Sequence, residues 1–119
     1  MKADKTVMSI EAFLSAARAA AAHAAKPVPV QVPGFGTVYV RPLTVQETEA
    51  NVTEDAKAPQ EGRFARGLAR LICDEKGHRL FNPPSAEVVK LLSEIPWQQL
   101  QPLMDAGQVD TAGVDAEGN

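Results

Sequence analysis

Arg63, Arg66 and Arg70 are the charged residues whose spacing first invites a chemical reading, because steps of three and four gather them on one side of a helix. Such a stripe can be a solvated face with local ion pairs, a docking surface for an acidic partner, or a helix that reads nucleic acid. Cys73 and His78 bracket the turn DEKGHRLF, residues 74–81, but the other histidine is His23 and two further ligands at metal spacing are missing. A lone cysteine at the end of an apolar helix face reads as a small buried hydrophobe rather than a nucleophile. The carboxylate pairs Glu47/Glu49 and Asp74/Glu75 lie in polar stretches where little would raise a pKa. PGFG, residues 33–36, does not open a helix, so it is no phosphate loop. No Ser/His/Asp elbow is present. These pieces do not make an active site, and neither catalysis nor a cofactor or metal is expected.

The elements that position these residues must come from a short chain. At 119 residues it is read as one small domain, 1–107, followed by an acidic tail, 108–119, expected to be disordered. Aromatics make up 5%, and much of the 45% apolar content is alanine, so the core is expected to be thin and its burial completed by an oligomer or a partner. A formal charge of −3 argues against a general nucleic-acid binder. The single cysteine rules out an intramolecular disulfide and fits a reducing compartment. AARAAAAHAA, residues 16–25, resembles the end of a secretory signal, but Arg18 inside the apolar stretch and Asp4 and Glu11 near its front argue against one. No run reaches the ~18 apolar residues of a membrane span.

The expected fold is α+β, mostly helical, with four to five helices and one β-hairpin near residues 28–41. Ser9 caps a first helix running to about Ala25, with Ile10, Phe13, Leu14, Ala17 and Ala21 on one face. That stripe is expected to pack chiefly on its own domain, although its alanines would let another helix come close. VPVQVPGFGTVYV, residues 28–40, reads as a hairpin. Pairing Val32 with Thr37 sets Val30 opposite Tyr39 and Val28 opposite Arg41, leaving apolar residues on both faces. Pro29 places the first strand at an edge.

TVQE, residues 44–47, is a capping box opening a short helix to about Val52, and residues 53–62 read as a mobile loop. A longer helix is expected from about Gln60 to Cys73, with Phe64, Leu68, Leu71 and Ile72 opposite the arginines. Ser85 caps a helix bearing Val88, Leu91, Leu92 and Ile95. Pro96 opens the last helix, with Trp97, Leu100, Leu103 and Met104 on its apolar face. Pro102 is expected to bend or shorten that helix and Gly107 to end it. Trp97 reads first as a core anchor and second as a binding hot spot.

VPGFGTVYVRPLTVQETEA, then ARLICDEKGHRLFNP, then VVKLLSEIPWQQLQPL resemble the tail assembly chaperones of long-tailed bacteriophages and prophages, over roughly residues 7–104. The resemblance implies a non-enzymatic protein of the host cytoplasm, absent from the mature virion. It implies a partner in the tape measure protein, which such chaperones coat and keep soluble, and another in the tail tube protein, whose subunits they help recruit. It also implies a homo-oligomer, and a longer form in many members, for which 108–119 would be the point of attachment. A holdase for a long helix needs apolar grooves, repeated along the target. Phe13, Leu14, Tyr39, Trp97 and Met104 are the expected partner or self contacts, with Arg63, Arg66 and Arg70 adding electrostatic steering. The alternative is a small DNA-binding regulator that reads with the Arg63–Arg70 helix.

Overall fold

A computed structural model describes residues 8–108 of the chain. Among them are five helices and a three-stranded antiparallel sheet, an α+β architecture that is mostly helical. In chain order these are α1 (Ile10–Ala24), β1 (Val28–Val32), β2 (Gly36–Val40), α2 (Val45–Ala56), α3 (Arg63–Leu71), β3 (Ile72–Cys73), α4 (Ala86–Ser93) and α5 (Trp97–Ala106). The acidic tail beyond Gln108 lies outside the described residues.

Local chemistry sets most helix starts. Ser9 accepts from the Ala12 amide at 3.1 Å, and Ser85 from that of Val88 at 3.2 Å. Thr44 and Glu47 form the reciprocal capping box, with the Thr44 amide donating to Glu47 Oε1 at 2.9 Å and the Glu47 amide donating to Thr44 Oγ1 at 3.1 Å. Pro96 stands just before α5. Pro102 does not shorten that helix, which runs through it to Ala106 and is capped by Gly107.

The hairpin pairs one residue away from the expected register. Val32 faces Gly36, Val30 faces Val38 and Val28 faces Val40. The turn is therefore three residues, Pro33–Phe35, closed by the Phe35 amide donating to the Val32 carbonyl at 2.9 Å. Gly34 and Gly36 both have positive φ, 86° and 84°, which lets the chain reverse within that length. A slip of one residue exchanges the two faces of a strand. Here it brings Val28, Val30, Val32, Val38 and Val40 to the same face, so the ribbon has one apolar side rather than two.

That side carries the core. Val32 and Val40 meet Leu100 and Leu103 of α5 together with Leu68 of α3 and Ile72 of β3. Burying an aliphatic side chain of this size contributes about 2 kcal/mol. Nine apolar residues are buried among those described, and Ala65, Ala69 and Cys73 are three of them, so the core is thin.

Two boundaries differ from expectation because tertiary contacts decide them. α2 continues past Val52 to Ala56, and the loop starts only at Lys57. Glu54 and Asp55, in its last turn, are held by arginines of α3. α3 in turn spans Arg63–Leu71 rather than Gln60–Cys73, because Ile72 and Cys73 leave the helix to pair with Val40 and Tyr39. The ribbon thus becomes a three-stranded sheet in the order β1-β2-β3, with the proline-bearing β1 at an edge. After Cys73, Asp74 Oδ1 accepts from the amides of Lys76 and His78 at 2.8 and 2.9 Å, closing the turn.

α1 departs furthest from expectation. None of its residues is buried, and Ile10 and Phe13 are 76% and 60% exposed. Its stripe does not pack on the rest of the described chain.

Candidate functional site

The arginine stripe divides in two. α3 starts at Arg63, just after Gly62, which places Arg66 and Arg70 on the side that faces α2 and leaves Arg63 in solvent. Arg66 Nε donates to Asp55 Oδ1 at 3.1 Å, and its other nitrogens donate to the carbonyls of Glu61 and Pro59. Arg70 donates to both Asp55 oxygens, at 3.1 and 2.9 Å, and to Glu54 at 2.8 Å. Both arginines are buried. The hydrogen bonds from Arg70, then those from Arg66, hold the Asp55 carboxyl below its ordinary pKa. Burial works against the Arg70 charge, but Asp55 and Glu54 outweigh it and raise its pKa. Two of the three arginines are therefore neutralised within the chain. Their charge is met within the chain, and Arg63 is the member of the stripe left exposed.

A second charge cluster holds the other end of α2. Arg79 donates to both oxygens of Glu47, at 2.9 and 2.8 Å, and to the carbonyls of Arg41, Leu71 and Pro42. Arg41 reaches Glu47 at 3.4 Å. Hydrogen bonds from Arg79 hold the Glu47 pKa down to about 2, against the cost of burial. α2 has no buried residue, so these two clusters, not an apolar seam, fasten it to the body. Its outward side, with Leu43, Val45, Thr48, Glu49 and Val52, lines an open trough of about 400 Å³.

The apolar residues expected to meet partners lie at three places. Phe13 and Leu14 are exposed on α1. Tyr39 is half-buried in the middle strand, between Pro29 and Cys73, on the side away from the valines. Met104 is half-buried and packs against the core. Trp97 is 45% exposed and so is not the core anchor that its type suggests. It stands against Phe64, itself 53% exposed, with ring centroids 5.0 Å apart and planes tilted by 43°. The two rings border a groove of about 310 Å³ between α3, α4 and α5, floored by Ala65, Leu68, Leu92, Ile95 and Leu100. The structure brings together Trp97 and Phe64 and keeps Phe13, Leu14 and Tyr39 apart from them.

Phe64 escapes the sequence reading because its spacing to Leu68 assigns it to the core face. Arg63 opening the helix is the signal that Phe64 lies in the first turn, at the rim. Asp55 and Glu54 were equally hidden within a polar stretch, although two adjacent acids preceding arginines spaced by four are a fit for a clamp. Cys73 is buried, and burial pushes its thiol pKa up, as a small core residue requires. Among the described residues no group of three His, Cys, Asp or Glu side chains could hold a metal ion, and no helix is long and apolar enough to cross a membrane.

The described surface thus holds an aromatic-rimmed apolar groove between α3, α4 and α5 and, separately, the exposed helix α1. A family model described as phage tail assembly chaperone, TAC, matches residues 12–112. No curated protein and no solved structure gives a significant match.

Proposed function

Since the chain belongs to the phage tail assembly chaperones, we propose that it acts by binding rather than catalysis, as a holdase for the tape measure protein during tail assembly. Its client is a long amphipathic helix, and the groove between α3, α4 and α5 takes the client's apolar stripe. The single observation that carries this reading is the exposed Phe64–Trp97 pair over an apolar floor. Large aromatic rings left half in water at the edge of a concave apolar surface are the usual anchors of a helix-in-groove contact. A thin core supports the same reading, because burial left unfinished within the chain is available to a partner.

In this role the protein works in the host cytoplasm, engages tail tube subunits as they join, self-associates, and is left out of the finished particle. Each site binds weakly, and repetition along the client supplies the avidity. Arg63, the one member of the stripe left exposed, flanks Phe64 and adds attraction for acidic positions on the client. Trp97→Gln combined with Phe64→Ser is expected to abolish retention of a purified tape measure fragment on immobilised chaperone and to leave the circular dichroism spectrum unchanged. Undiminished retention by this folded variant would remove the groove from the assignment.

A further inference from the structure

α1 has 15 residues, IEAFLSAARAAAAHA, of which only Glu11, Ser15, Arg18 and His23 are polar. A helix so largely apolar is ordinarily covered, yet every residue from Ile10 to His23 is exposed. At 100° per residue, Ile10, Leu14, Ala17, Ala21 and Ala24 form a seam. Phe13 and Ala20 flank it on one side, Glu11 and Arg18 on the other. The order of bulky and small residues along this helix is uneven: Ile10, Phe13 and Leu14 all lie in its first half, and the second half offers alanine at every seam and apolar flank position.

We infer that α1 pairs antiparallel with α1 of a second copy of this chain, about a two-fold axis. The argument rests on complementarity of both charge and size. In an antiparallel pair related by a two-fold, each flank meets the same flank of the partner copy. Glu11 of one helix then stands opposite Arg18 of the other, and the symmetry repeats the pair. In that alignment Leu14 packs over Ala17, Ile10 over Ala21, and Phe13 over Ala20 of the facing helix, so each bulky side chain meets an alanine. Alanine lets the two backbones approach closely. A parallel pair would turn the Glu11/Arg18 flank toward the Phe13/Ala20 flank and leave both charges without partners. The interface is isologous and closes on itself. It deepens the self-association in the chaperone reading and does not involve the client groove, so it can fail while that reading stands.

Sedimentation equilibrium of the purified full chain, without client, tests it. The chain is expected to dimerise at micromolar concentrations, and Leu14→Glu to be monomeric over the same range. Glu11→Arg and Arg18→Glu alone each replace two attractions with two repulsions, and each is expected to weaken the dimer about tenfold. Mixing these two variants, or combining both changes in one chain, is expected to restore wild-type affinity. No packed residue of the body is altered, so thermal midpoints should match the wild type and confirm folding. A wild-type chain that stays monomeric, which would leave α1 to a client or to the chain's own termini, overturns the pairing. So does a dimer indifferent to the single charge reversals, or a mixture of the two variants that fails to recover. Retention of the tape measure fragment, measured in parallel, reports on the groove independently.

Discussion

Arg70 grips Asp55 with two hydrogen bonds, at 3.1 and 2.9 Å, across fifteen positions of sequence. Arg66 shares the same carboxylate at 3.1 Å. One aspartate therefore bridges two buried guanidinium groups and joins α2 to α3, with Glu54 adding a second negative charge at Arg70, and the first prediction concerns it. Asp55→Ala leaves both arginines buried, Arg70 with Glu54 as its remaining carboxylate and Arg66 with none. The loss is expected to be about 3 kcal/mol, the lower end of the range for breaking a buried pair, because Asp55 keeps some contact with water. Urea denaturation measures it, and a midpoint equal to that of wild type would contradict the clamp.

Glu47 makes the other clamp sensitive to acid. Its pKa is lowered from 4.5 to about 2 by the hydrogen bonds from Arg79. A depressed carboxylate stabilises the folded chain above its unfolded pKa and ceases to do so as pH falls through the folded one. Stability is therefore expected to drop between about pH 4.5 and pH 2, by up to about 3 kcal/mol from this group. Glu47→Gln should be less stable at neutral pH and lose less on acidification through that window. Thermal melts of both proteins across the range provide the comparison.

The turn at Gly77 lies against the foot of α1. Its φ is +94°, and an added Cβ would lie 3.2 Å from the Ala25 carbonyl oxygen at the foot of α1. Arg41 Nε donates to the Gly77 carbonyl at 2.8 Å. Gly77→Ala is expected to cost about 1–2 kcal/mol, from backbone strain and from displacement of the Ala25–Pro27 segment. A chemical melt reads the loss; a neutral substitution would mean that the foot of α1 gives way freely.

Val40 is fully buried under α5 and makes the sheet register testable. Val40→Thr keeps the shape but puts a hydroxyl into the core, and should cost about 2 kcal/mol. Val28→Thr, at the partially exposed position paired with it, should change stability by less than about 0.5 kcal/mol. Equal effects at the two positions would contradict the placement of α5 over Val40.

Helix beginnings were legible in the sequence because caps act over three residues. Ser9, Thr44 with Glu47, and Ser85 each cap the helix that their spacing announces. The edge position of β1 was legible from Pro29, which cannot donate to a ladder. The hairpin register was not. Its turn differs by one residue between two plausible pairings, and the choice belongs to α5, which packs on a single apolar face that gathers all five valines of the ribbon.

The sequence by itself determined that this chain is a mostly helical α+β protein with a thin core, because periodicity, capping and composition are local and additive quantities. Only the tertiary structure decided which surfaces are covered and which stay open. It drew Arg66 and Arg70 inward onto Asp55, left Trp97 and Phe64 facing water, and left α1 bare. Those outcomes turn on which desolvated charge finds a partner and which apolar face finds cover. Both depend on residues distant in sequence, whose meeting no local pattern records.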